Sequence, residues 1–276
     1  MASSSSPPSK AMANPRGLLS IYLSKTTSTI AHLNRLLSTT SHLDTTLLTT
    51  TYTLHLLHSL LTHRPHLSPR LARLTSSLTP LTSLLDELRI ILRLWGLLGI
   101  YTWGASTYLH PPKDAVVKAI TWSQVCACAV YQALENGAYL SSRGVMGWGK
   151  ERVAKAWVWS GRMWMVHVGL ELVRLGYEFS QFGSAGERMA EGKKEDVEGS
   201  GVVGGEKGEV VVVVGRDGEE KQRWERWRRE VVVNAAYAPM TVHYSLEEGP
   251  LSEGAIGALG VVVAWLTFGK AWKETA

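Results

Sequence analysis

"LSPRLARLTSSLTPLTSLLDELRIILRLW", residues 67 to 95, repeats leucine at steps of four and three: Leu67, Leu71, Leu74, Leu78, Leu81, Leu85, Leu88 and Leu92, with Trp95 closing the series. Steps of that size return to one side of an α-helix, so the nine residues form a single apolar stripe. Arg70, Arg73, Arg89 and Arg93 flank it, with Ser76 and Ser77 between them. An apolar stripe edged by basic residues suits a helix lying on an anionic bilayer, and it suits a soluble bundle or coiled-coil helix equally. Both readings predict helix, and Pro80 predicts a kink in it.

The same period extends towards the N-terminus. Leu33, Leu36, Leu37, Leu43, Leu47, Leu54, Leu57 and Leu61 recur at helical spacing on a Ser/Thr background. Threonine lowers helix propensity, so such a helix depends on burying its leucine face. Towards the C-terminus the chain becomes sparsely charged. Leu94 to Pro112 and Ala119 to Leu134 carry no formal charge, and Val153 to Leu175 is apolar but interrupted by Lys155, Arg162, Glu171 and Arg174. "GAIGALGVVVAWLTFG", residues 254 to 269, is again free of charge, and at 1.5 Å per residue it reaches about 24 Å against about 30 Å of hydrocarbon. Each stretch is borderline for crossing a bilayer. Together they predict helices that embed shallowly or pack on one another. Trp265 and Trp272 suit an interface, and Lys270 and Lys273 a polar boundary.

The fold class that follows is all-α: a membrane-associated helical protein with amphipathic helices and one or more short membrane-embedded helices. Composition supports this, with eleven Trp and nine Tyr against three Phe, the two amphipathic aromatics favoured at interfaces. The net charge of +5 is unevenly spread, residues 1 to 94 holding nine Lys/Arg against three Asp/Glu, which suits an anionic lipid surface. Five regions follow: a disordered Ser/Pro-rich 1–16, an amphipathic helical 17–95, a membrane-associated helical 96–180, a disordered acidic Gly-rich loop 181–222, and a helical 223–276 containing the membrane helix. Within the last, helix is expected from about Arg223 until Pro239 stops it. The run Val210 to Val214 has a strand's composition but no partner strand.

Chemistry-bearing motifs are weak. His55 with His58, and His63 with His66, are i,i+3 pairs, but only Asp44 is near them in sequence, so they read as polar-face histidines rather than metal ligands. His243 and Ser245 lack the G-x-S-x-G turn of a serine hydrolase. Cys126 and Cys128 are badly spaced for a disulfide and read as small buried residues. No catalytic residue, metal or cofactor is expected. Gly257, Gly260 and Ala264 leave a smooth helical face for close packing against another helix, in lipid or in a soluble core.

Three segments together, "YQALENGAYLSSRGV" (residues 131–145), "WSGRMWMVHVGLELVRL" (159–175) and "NAAYAPMTVHYSLEEGPLSEGAIGALG" (234–260), resemble the peroxisomal biogenesis factor 11 family, and most its fungal C-type branch. With the helical N-terminal region and the Gly-rich C-terminal helix, the resemblance runs from about Leu18 to Trp272. It implies a non-enzymatic peroxisomal membrane protein that bends and elongates the membrane before division. It also implies an amphipathic helix inserting into one leaflet, homo-oligomers, and dynamin-related fission machinery as a partner. By position the inserting role falls on Leu67 to Trp95 and the membrane helix on Gly254 to Gly269. Pro69, Pro80 and the acidic 181–222 depart from the family pattern.

Other readings are an oligomeric pore for small metabolites, for which Ser106, Ser123 and Gln124 offer little polar lining, and a soluble helical scaffold. The chargeless runs argue against a nucleic-acid partner. The acid-free first 43 residues, with Lys10, Arg16, Lys25 and Arg35, also have the composition of a mitochondrial transit peptide.

Overall fold

The leucine periods become helices that bury one face on each other. The computed structural model describes residues 15–64, 68–199 and 210–275. In chain order its helices are α1 (Pro15–Leu37), α2 (Thr40–Thr62), α3 (Pro69–Arg93), α4 (Gly96–Leu109), α5 (Ala115–Ser142), α6 (Lys150–Gly199), α7 (Val210–Tyr244) and α8 (Glu253–Thr275). No strand occurs among the described residues, and the fold is all-α.

Local chemistry explains the ends of these helices. α2 starts at Thr39, whose hydroxyl accepts from the His42 amide. Its many threonines do not oppose the helix, because Thr45, Thr46, Thr49, Thr50, Thr53 and Thr62 each donate to the carbonyl four residues earlier at 2.7–3.0 Å. The hydroxyls are thus satisfied within the helix, and methyls and leucines are left for packing. α3 is capped by Ser68 and has Pro69 in its first turn, where a missing amide hydrogen costs nothing. It then continues through Pro80 to Arg93, so neither proline interrupts it. At α5, Asp114 accepts from the amides of Val116 and Val117 and from the Tyr177 hydroxyl at 2.7 Å. The Tyr177 bond, with the two amides, holds the Asp114 carboxyl below its usual range.

α2 packs antiparallel against α8, with α3 on the flank of α2 and α1 across the α2–α8 end. α5 and α6 form a second antiparallel pair that carries α4, and α7 bridges the two groups by touching both α6 and α8. The apolar core lies where α2, α7 and α8 meet, with Leu48, Ala236, Val263 and Ala264 surrounded by Tyr52, Val233, Tyr237 and Leu259. In the second group Arg174 of α6 pairs with Glu171, Glu178 and, at 3.0 Å, Glu230 of α7, while Gln124 of α5 donates to Glu171 at 2.7 Å. Burial pushes the Glu171 carboxyl up, but Arg174 and Gln124 outweigh it and leave it lowered.

Several boundaries differ from those expected. The loop over 181–222 is replaced by α6 continuing to Gly199 and α7 beginning at Val210, the valine run included. Glu187, Met189, Ala190, Lys193 and Lys194 are strong helix formers, which outweighs the glycines there. Residues 200–209, the rest of that segment, lie outside the described residues, as do 1–14 and Leu67. Pro239 does not stop α7. Met240 and Thr241 just beyond it are buried, and that packing carries the helix on to Tyr244. The chargeless Leu94 to Pro112 yields only the fourteen residues of α4, about 21 Å long and too short to span hydrocarbon.

Candidate membrane interface

The leucine stripe of α3 divides into two heptad series. Leu78 is buried and Leu85 and Leu92 are half-buried, whereas Leu71, Leu74, Leu81, Leu88 and Trp95 remain exposed. Leu84, at 65% exposure, and Ile91 join the outward set. Leu84, Leu88, Ile91, Trp95 and Leu98 make a second series of four and three steps, offset from the first, and it carries the apolar face across the break at Trp95 into α4. On α4, Leu97, Leu98, Tyr101, Tyr108 and Leu109 are all exposed, with Trp95, Tyr101 and Tyr108 about three-quarters so. Only Thr107 of α4 is buried. A contiguous run of large apolar side chains without a protein partner marks an interaction surface. Sequence reasoning missed Leu84, Ile91 and the α4 residues, although the offset series was available to it.

The four arginines serve two different purposes. Arg70 and Arg73 are exposed, and their spacing from Leu74 and Leu84 places them on the outward face of α3. Arg89 is buried, and its Nε donates to Asp44 Oδ1 of α2 at 3.0 Å. Arg93 grips Glu135 of α5 through Nε and Nη2, at 3.2 and 3.0 Å. Glu135 is itself buried and also accepts from the Tyr131 hydroxyl at 3.0 Å. Burial works against the charge on Arg93, but Tyr131 and Glu135 more than offset it and hold the guanidinium charged. Arg89 and Arg93 are thus corrected from surface-facing cations to ties between helices: Arg89 is itself buried against Asp44, and Glu135 would be a buried, unpaired carboxylate without Arg93. Nearby, Glu87 pairs with Arg143 and accepts from the Tyr139 hydroxyl, and Asn136 donates to the Leu94 carbonyl.

The small residues of α8 lie against α2. A Cβ added at Gly257 would stand 2.9 Å from the Leu56 backbone nitrogen, and one at Gly260 would overlap the Tyr52 ring. Ala264 is fully buried in the core, and Trp265 and Val262 face outward. α8 is the one helix among the described residues long and apolar enough to cross a membrane.

The remaining motif residues have structural partners. His55 meets Asp86 at 3.1 Å, and His58 meets Thr79 at 3.2 Å. His243 accepts from the Leu251 amide at 3.1 Å and shapes the α7–α8 turn, while the buried Ser245 hydroxyl donates to the Val242 carbonyl. Cys126 is exposed rather than buried, and Cys128 is half-buried with Sγ 3.4 Å from His167 Nδ1. His66 lies outside the described residues.

Comparison with known families gives one match: the family model for peroxisomal biogenesis factor 11 covers residues 30–272. No match was found among curated proteins or among solved structures. That match takes in α2 to α7 whole, the C-terminal part of α1 and α8 as far as Trp272, so the all-α architecture and the outward apolar face both lie within it. The chain belongs to the peroxisomal biogenesis factor 11 family, a family of peroxisome biogenesis and proliferation factors.

Proposed function

We propose that this protein acts at the peroxisomal membrane without enzymatic activity, curving and elongating it ahead of division. The observation that carries the reading is the apolar face running from Leu74 through Leu81, Leu84, Leu88, Ile91 and Trp95 to α4, which the fold leaves unburied. Inserted about 5–10 Å into one leaflet, such a face expands that leaflet relative to the other and favours curvature. Each side chain gains about 1–2 kcal/mol from the burial that the fold leaves undone. Trp95, Tyr101 and Tyr108 suit the headgroup level, and Arg70 and Arg73 sit where anionic phosphates would meet them. Wedges become effective with coverage, which supports self-association and a place beside dynamin-related fission machinery. The three sequence segments that carry the family resemblance support the fungal C-type branch.

Two experiments test this reading. A fluorescently tagged chain should coincide with a peroxisomal marker, resist alkaline extraction and, overproduced, draw peroxisomes into tubules. The purified chain should elongate vesicles containing phosphatidylserine. Binding without any change in vesicle shape would contradict the curvature role, and a purely mitochondrial distribution would contradict the location.

A further inference from the structure

The outward helix and the apolar C-terminal helix are not independent. α8 lies along the full length of α2 in antiparallel register: Gly254 is placed against Ser59, Gly257 against His55 and Leu56, and Gly260 against Tyr52. Further along, Thr49 Oγ1 stands 3.4 Å from the Ala264 carbonyl and His42 stands 3.6 Å from Glu274. α3 is also antiparallel to α2, with Thr79 at His58, Asp86 at His55 and Arg89 reaching Asp44. Two helices that each run against the same third helix run alongside each other. α3 therefore cannot lie along a membrane while α8 crosses it.

Charge decides between lying flat and crossing. The His55 backbone lies beside Gly257 and its ring meets Asp86, while Arg89, one turn on, reaches Asp44, so Asp86 stands within the length of the chargeless 254–269 of a crossing α8. Glu87 follows Asp86 on α3 and pairs with Arg143. The side chains of Asp86 and Arg143 are 44% and 54% exposed. Charged groups tolerated within a bilayer face a bundle interior, and these do not. Arg35 of α1 adds a tie at the far end, its Nε donating to the Thr275 carbonyl at 2.9 Å. α8 cannot move across a membrane without drawing that charged assembly with it.

Resting on the membrane reading above, we infer that α2, α3 and α8 lie as one unit with their axes along the membrane, held in a single leaflet, and that α8 does not cross. The turn before α8 and its C-terminal end then face the same side of the bilayer.

The test places single cysteines at Glu248→Cys and Lys273→Cys, both exposed, in a full-length Cys126→Ser/Cys128→Ser chain. Each variant is added to preformed sealed vesicles of phosphatidylcholine and phosphatidylserine, floated, and treated with a membrane-impermeant maleimide before and after detergent. The single-leaflet placement predicts complete labelling at both positions from outside, with nothing added by detergent. Flotation with either position protected until detergent would overturn it and establish a crossing. A chain that fails to float would overturn the membrane reading itself, an outcome distinct from protection.

Discussion

The α2–α8 seam and the outer face of α3 and α4 are both apolar, and the fold treats them in opposite ways. In the seam the residues are small: Gly254, Gly257, Gly260 and Ala264 let α2 approach closely, its backbone at Gly257 and the Tyr52 ring at Gly260, where no side chain could be added. On the outer face they are large, Leu81, Leu84, Leu88, Ile91, Trp95 and Tyr101, and they stay exposed among the described residues. The seam is thus held by close approach of two helices, and the outer face presents bulky side chains that the fold does not bury. The two can be broken separately.

The largest expected effect falls on the outer face alone. Leu81→Glu, Leu84→Glu and Leu88→Glu together should abolish flotation with anionic vesicles. They forfeit roughly 2 kcal/mol of burial per leucine and set acidic groups against the lipid. Thermal unfolding of the detergent-solubilised chain should move by only a few degrees, because these side chains are exposed. A collapse of stability in the triple variant would merge the two regions and end the distinction.

Gly260→Leu attacks the seam instead. Overlap with the Tyr52 ring should cost about 3 kcal/mol or more of folding stability, seen as a lowered unfolding midpoint and faster proteolysis. Arg93→Met should cost about 3 kcal/mol, since it strands the buried Glu135 carboxylate, and its effect should be insensitive to lipid charge. Arg70→Ala with Arg73→Ala should leave stability unchanged and weaken binding by about 1 kcal/mol per residue, only on anionic vesicles and less at high salt. Equal behaviour of the Arg93 and Arg73 variants would dissolve the division among the arginines.

That division shows where sequence stops being informative. The period of four and three from Leu71 to Leu92 fixes helix, and the series Gly257, Gly260, Ala264 fixes a close-packing side, because both depend only on spacing along one helix. What spacing cannot supply is the partner. Arg73 and Arg89 look alike in the sequence, and only the arrival of Asp44 from α2 and Glu135 from α5 turns Arg89 and Arg93 inward. The same holds for Leu78 and Leu81, three residues apart, of which the first is buried and the second exposed. Pro239 was misleading for a related reason. Its local preference is overridden by the burial of Met240 and Thr241 against neighbouring helices.

The central claim is that the outward side of α3 enters lipid while its polar flank stays wet. Ser83 and Leu84 are adjacent, both exposed, and a turn of about 100° separates their directions on the helix. A polarity-sensitive fluorophore on Leu84→Cys or Ser83→Cys, each in the full-length Cys126→Ser/Cys128→Ser chain, compares the two sides directly on phosphatidylserine-containing vesicles. A blue shift and quenching by nitroxide-labelled lipid at position 84, with position 83 remaining water-like, is the predicted result. Both positions staying water-like while the chain floats with the vesicles would contradict it and move the membrane contact to another part of the molecule.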